Sequence, residues 1–268
     1  MEAKVYLGTQ GWNYEGWSGS FYPAGTKSKE SLGLYAKIFE TVEVDSTFYA
    51  IPAERAVKGW EERTPSDFKF SVKLLSEITH KNRLLDSKEI LLHFIQRLTL
   101  LKDKLGCILI QLPPDFSPGE RTSLSSFLKL IPKHPRFAIE FRDPRWVRAD
   151  TLDELRTYNV AFTLVDSRWI NRILSLSLAD QPTADFSYVR WLGPRDLTDF
   201  TRIQIDRTKE LMQWVNGFKV LSSEVSTVFG YFNNHFQGHS PASCNAFKSL
   251  LNLPVKEPST LIVQPSLF

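Results

Sequence analysis

A chain of 268 residues that is 42% apolar and 13% aromatic can bury one large core or two small ones, and it is neither a disordered nor a fibrous composition. A formal charge of +3 with pI near 8.7 is only mildly basic, so it admits an anionic ligand without indicating nucleic acid. Cys107 and Cys244 lie far apart with no metal-type spacing, Met1 leads straight into a strand with no signal-peptide pattern, and no apolar run nears the ~20 residues of a membrane span; the expectation is a cytoplasmic protein with no membrane contact.

In chain order, Val5 to Trp12 reads as a strand, followed by a Gly- and aromatic-rich loop through Trp17, Gly19, Phe21, Tyr22 and Pro23. A loop of this kind is either functional or a lid of aromatics over one barrel mouth. Ser28 to Phe39 carries Leu32, Tyr35 and Phe39 on one helical face. Thr41 to Tyr49 is dominated by β-branched and aromatic residues and reads as the second strand, with Glu43 and Asp45 on the face opposite Val42 and Val44. Ala53 to Arg63 is a helix stopped by Thr64-Pro65, and Phe68 to Lys73 alternates as a third strand. Asp86 with Glu89 resembles a capping box ahead of a stripe from Ile90 to Leu101.

Gly106 to Leu112 is a near-continuous apolar run, which suits a strand buried on both faces of a parallel sheet; Cys107 within it reads as core. Helix at Leu124–Leu130, strand at Phe137–Phe141, helix at Asp150–Tyr158 and strand at Val160–Val165, capped by Asp166, follow in turn. The remainder reads as a strand at Phe186–Leu192, a helix at Arg202–Phe218, a strand at Thr227–Phe232, and a closing helix Ala242–Leu253 with Ser240-Pro241 at its start. Eight strand–helix repeats within roughly 250 residues predict a single-domain (β/α)8 TIM-type barrel over residues 1–254, with a tail over 255–268. A doubly wound open sheet is the alternative, although Gly8-Thr9-Gln10-Gly11 lacks the dinucleotide glycine spacing and no phosphate loop is present.

In such barrels the C-terminal strand ends and following loops build the active site. Those positions hold Gln10, Trp12, Tyr14, Glu43, Asp45, Lys73, Gln111, Glu140, Arg142, Asp166, Arg190, Asn233 and Asn234, with His80 and His235 on adjoining loops. The expected site is a polar pocket for a small anionic or polyhydroxylated ligand. Lys73, Arg142 and Arg190 would bind it, with Gln10, Trp12, Tyr14, Asp45, Gln111, Asn233, Asn234 and His235 around them. Glu43, Glu140 or Asp166 would serve as general base and Lys73 or His80 as acid. The competing structural reading is an ion-pair network filling the barrel top. No cofactor is expected. The metal alternative is an oxygen-ligated Mg²⁺ or Mn²⁺ on Glu43, Glu140 and Asp166, and no histidine pair of zinc type occurs. Lys73 would form a Schiff base only with a lowered pKa, and a salt-bridging lysine is the simpler reading.

Gly8-Thr9-Gln10-Gly11-Trp12-Asn13-Tyr14 with Trp17, Gly19 and Phe21-Tyr22-Pro23 resembles the opening motif of the YecE-like family, domain of unknown function 72. The resemblance runs through Val42 to Tyr49, Phe68-Lys69-Phe70 with Lys73, Ile78-Thr79-His80, Gln111-Leu112-Pro113-Pro114, Glu140-Phe141-Arg142, Tyr231 to His235 and Asn245-Ala246; Asp45 stands where the family pattern leads one to expect asparagine. It implies a TIM-type barrel and no particular reaction. The final Gln264-Pro265-Ser266-Leu267-Phe268 looks like the peptide by which bacterial replication and repair proteins dock on the sliding clamp, with Gln264, Leu267 and Phe268 as anchors. A DNA-associated repair-type factor or metal-dependent nuclease, and a ligand-binding barrel without turnover, are therefore the alternatives to a small-molecule enzyme.

Overall fold

A computed structural model describes residues 3–194 and 196–261; the clamp-type peptide Gln264–Phe268 lies outside the described residues. Eight parallel strands close into a barrel in the order of the sequence: β1 (Lys4–Gln10), β2 (Thr41–Val44), β3 (Lys69–Lys73), β4 (Leu105–Gln111), β5 (Phe137–Glu140), β6 (Val160–Ser167), β7 (Phe186–Gly193) and β8 (Thr227–Phe232). The seam between β8 and β1 is paired from Lys4 with Thr227 through Thr9 with Phe232, so no strand edge is left open. The helices are α1 (Ser28–Ile38), α2 (Glu54–Glu62), α3 (Lys88–Leu98), α4 (Arg121–Leu128), α5 (Ala149–Thr157), α6 (Arg172–Leu176), α7 (Thr208–Glu224), α8 (Asn234–Gln237) and α9 (Ser240–Leu250).

Alternation along each strand divides the core in two. Tyr6, Cys107, Leu109, Ala138, Ala161, Phe186, Tyr188, Phe229 and Tyr231 fill the barrel lumen. The opposite faces of the strands pack against the helices in a larger apolar layer that includes Val42, Val72, Ile110, Trp191 and Trp214. A polar storey lies above the apolar floor of the lumen: the Tyr231 hydroxyl is 2.7 Å from both Thr41 Oγ1 and Ser71 Oγ. The expected barrel and its eight strands are thus present, and Cys107 is buried inside the lumen.

Four local expectations are corrected. The second strand stops at Val44, because Asp45 takes helical angles (φ −86°, ψ −23°) and opens a 3₁₀ turn at Ser46–Phe48. Thr47 Oγ1 holds that turn by donating to the Lys73 carbonyl at 2.7 Å. The helix expected from Arg202 starts at Thr208 instead. The Asp206 carboxylate accepts from the backbone N–H of Thr208 at 2.9 Å, an aspartate turn that starts the helix late. Asp86 does not cap α3, since its φ of +43° places it in a turn and Ser87 is the residue before the helix. The last helix is capped by His239, whose Nδ1 accepts from the Ala242 N–H at 3.2 Å, and it ends at Leu250. The aromatic loop after β1 is packed down: Trp17, Phe21 and Tyr22 are buried, Phe21 stacks on Phe39, and Trp17 Nε1 donates to Asn234 Oδ1 at 3.2 Å. The expected tail begins by folding back, with a 3₁₀ turn at Pro258–Leu261 that buries Leu261.

At Gly8 the backbone of β1 leaves no room for a side chain beside the start of β2. A Cβ there would press on the Thr41 carbonyl oxygen and stand 2.9 Å from the Tyr35 hydroxyl. That hydroxyl donates to Thr41 O at 2.9 Å and accepts from Thr9 N at 2.9 Å, so it cannot move aside without losing both bonds. Gly8→Ala is expected to cost ~3 kcal/mol through overpacking and two lost hydrogen bonds, read as a lower urea midpoint at unchanged slope.

Candidate active site

The inward-facing parity of six of the strands carries one polar residue each to the C-terminal mouth: Gln10, Glu43, Lys73, Gln111, Glu140 and Arg190, with Asn233 just past β8. Arg190 stands at the centre, 1% exposed. Its Nε donates to Glu43 Oε2 at 3.0 Å and its Nη2 to Glu43 Oε1 at 2.7 Å, while Nη1 donates to Glu140 Oε2. The Tyr188 hydroxyl adds a third bond to Glu43 at 2.7 Å. Gln111 Nε2 donates to Glu140 Oε1 at 2.8 Å, and Arg142 Nε lies 3.4 Å from the same oxygen. One guanidinium therefore bridges two buried carboxylates from opposite sides of the lumen, the arrangement for which a planar fork is suited.

The two carboxyls are driven apart electrostatically. Burial raises both in principle. For Glu140 the opposing pull of Arg190 and Arg142, with Lys73 behind them, wins and holds it at about 2. For Glu43 burial prevails over Arg190, helped by the neighbouring Asp45 charge, and the carboxyl sits above its usual range.

Around this bridge lies a second set of groups with capacity to spare. Lys73 Nζ is 4.0 Å from Asp45 Oδ1 and 4.1 Å above the Phe48 ring, and it makes no hydrogen bond among the described residues. Burial, opposed by Asp45 and reinforced by Arg190, brings the Lys73 ammonium down to about 8. Asp45 Oδ1 is buried without a hydrogen bond, 3.9 Å from Arg190 Nη2. His80 follows β3 on a single π-helical turn, Glu77–Lys81; its Nδ1 is 2.9 Å from Thr79 Oγ1, and its ring meets the edge of Phe48 at 5.0 Å. Burial and the positive charges of Arg142 and Lys73 lower His80 to about 4, so the ring is neutral near pH 7 and is placed as a base rather than as the expected acid.

A cleft of about 700 Å³ opens beside Asp45 and is lined by Trp12, Tyr14, Lys29 and Arg63 among others. Tyr14 donates to the Gln10 carbonyl at 2.7 Å, and burial pushes its phenol well up, so it remains protonated. The Gln10 side-chain amide has two bonded orientations: its oxygen accepts from Asn233 Nδ2 at 2.7 Å, or, turned over, from Arg190 Nε and Nη2 at 3.2 Å.

Three expected site residues stand elsewhere. Asp166 has the opposite parity to Val165 and leaves the lumen; its Oδ2 accepts from Trp214 Nε1 at 2.9 Å and from Arg172 Nη1 at 3.1 Å, joining β6 to α7 and α6. Asn234 is buried, and its Oδ1 takes Trp17 Nε1 and the Ser240 N–H and hydroxyl, so it fastens the aromatic loop to α9. His235 lies on α8 against Phe200 at 5.1 Å, edge to face. The trio Glu43, Glu140 and Asp166 does not assemble, because Arg190 separates the first two and the third faces outward; no group of three metal-ligating side chains is found among the described residues. Tyr188 was not foreseen, although it stands two residues before Arg190 and so shares its inward face; nor was Phe48, which the shortened β2 brings under Lys73.

A closed parallel barrel with a balanced set of acids and bases at the carboxyl ends of its strands belongs, by architecture, to the (β/α)8 class. The family model described as protein of unknown function DUF72 matches residues 6–266, and the chain belongs to that family. The UPF0759 protein YecE of Escherichia coli (strain K12) is 28% identical over 229 residues, spanning 78% of this chain and 82% of that protein. The UPF0759 protein YunF of Bacillus subtilis (strain 168) is 27% identical over 271 residues, spanning 93% and 95%. The crystal structure of a DUF72 family protein from Thermotoga maritima MSB8 matches with a TM-score of 0.79 at 27% identity, over 93% of this chain and 99% of that one.

Proposed function

We propose that the barrel mouth is the active site of an enzyme acting by acid–base chemistry on a small anionic or polyhydroxylated substrate. The observation that supports this most directly is the pairing of Lys73 Nζ with Asp45 Oδ1, two atoms 4.0 Å apart with no hydrogen bond among the described residues, Asp45 itself lining an open cleft. A mouth built only for stability would satisfy those atoms as fully as it satisfies Glu43 and Glu140. In this reading the Glu43–Arg190–Glu140 bridge is the fixed floor. Arg142 and Lys73 hold the anionic part of the substrate. Asp45 and neutral His80 take up protons, and Lys73 returns one.

The test is a panel of sugar phosphates and hydroxy acids followed by proton NMR in D₂O. At least one member is expected to exchange a carbon-bound proton or convert to product with the wild-type protein. Asp45→Asn is expected to lower that rate ~10²–10⁴-fold, the usual size of a lost general base, while retaining a cooperative unfolding transition. Saturable binding of a panel member with no exchange and no product would instead make the barrel a binding protein.

A further inference from the structure

We infer that Lys73 is an amine nucleophile that condenses with the carbonyl group of a small anionic aldehyde or ketone to form an imine at the barrel mouth. This rests on the reading of the mouth as a reacting site and names the substrate class, with Lys73 as nucleophile in place of its anion-holding role, which is left to Arg142. The geometry carries it. Lys73 emerges at the last residue of β3 with its side chain 10% exposed, and among the described residues its Nζ has no hydrogen bond to tie up the lone pair. The Phe48 ring covers one side at 4.1 Å, and the only carboxylate within 4.0 Å among the described residues is Asp45. A lysine whose role is to bridge charges would approach an acid as Arg190 approaches Glu43, at 2.7 Å with paired bonds.

The depressed basicity described above makes an uncharged amine available near neutral pH. In the forward step the Nζ lone pair bonds to the carbonyl carbon and the C=O π pair moves to oxygen, which receives the first of the two Nζ protons by way of the Asp45 carboxylate. The nitrogen gives up the second proton to Asp45. Asp45 returns it to the departing hydroxyl, water leaves, and C=N forms. One amine and one carbonyl become one imine and one water, with no change in oxidation state. Arg142 lies on the same side of the mouth as Glu140, where it can receive the anionic substituent of the carbonyl compound.

The experiment uses the intact wild-type protein with glyoxylate as probe and cyanoborohydride as trap at pH 7, followed by peptide mapping. Lys73 is expected to be alkylated at least about tenfold faster than Lys58 and Lys102, whose side chains are 53% and 71% exposed. Asp45→Asn is expected to slow the Lys73 reaction and leave Lys58 unchanged. Equal or slower reaction at Lys73 than at the exposed lysines overturns the inference. If that result comes with Asp45-dependent proton exchange in the NMR panel, only the imine falls; if exchange is absent as well, the acid–base reading falls with it.

Discussion

Arg190→Met is expected to remove a large share of the folding stability, about 4 kcal/mol or more, because it strands two carboxylates in the barrel lumen. Glu43 and Glu140 are 0% and 1% exposed, and three of the bonds that hold them come from the one guanidinium. Against a typical total of ~5–15 kcal/mol, such a loss removes from about a quarter to most of the margin and lowers the melting temperature by many degrees. The deficit should shrink as pH falls. With the cation gone, both buried carboxyls have raised folded-state pKa values, so protonation favours the folded form and stability is regained on acidification. Combining Arg190→Met with Glu43→Gln and Glu140→Gln should restore a cooperative transition at neutral pH, since no charge is then left unpaired. A denaturant midpoint for Arg190→Met equal to that of the wild type would show that the bridge contributes nothing to stability.

Lys73→Met is expected to have the opposite sign at neutral pH. The Lys73 ammonium is brought from 10.5 in the unfolded chain to about 8 in the fold, mainly by burial, so the folded protein carries this charge at a cost below pH 8. Between the two values the unfolded state holds one proton more than the native state, and wild-type stability rises with pH; above 10.5 the cost is gone. The shift corresponds to roughly 3 kcal/mol, reduced by the lost contact with the Phe48 ring, so a gain of about 2 kcal/mol is expected at pH 7. Thermal unfolding of both proteins from pH 6 to 10.5 should show the two curves converging at the alkaline end. A variant less stable than wild type at pH 7 would mean that Lys73 is a structural ion-pair partner.

The barrel was legible because its strands are runs of β-branched and aromatic residues at a regular spacing, and pleat parity then carries Glu43, Glu140 and Arg190 into one lumen. Parity was not legible where alternation was lost. Val160 to Val165 is apolar but for Thr163 and shows no alternation, so the facing of Asp166 follows only from the register that pairs Val165 with Arg190. Asp45 reached the mouth by a route the sequence did not reveal: it left the strand, and the turn that replaced it set Phe48 beneath Lys73. Hydrogen-bond saturation was invisible too. Nothing in the residue types distinguishes Glu43, with every bond made, from Asp45, with an orphaned oxygen.

The chain of contacts from Gln111 through Glu140, Arg190 and Glu43 to Tyr188 joins β4, β5, β7 and β2 across the lumen. It acts as a tie-beam beneath the rim. Strands on opposite sides are held to a fixed span by side chains as well as by the backbone ladder, so the loops above rest on a foundation that does not depend on them. Loop lengths and sequences can then be exchanged, in divergence or by grafting, to accept differently shaped molecules while the spacing of the charged groups below is preserved. In this fold the tie-beam separates the part that sets what is recognised from the part that keeps the reacting groups in register.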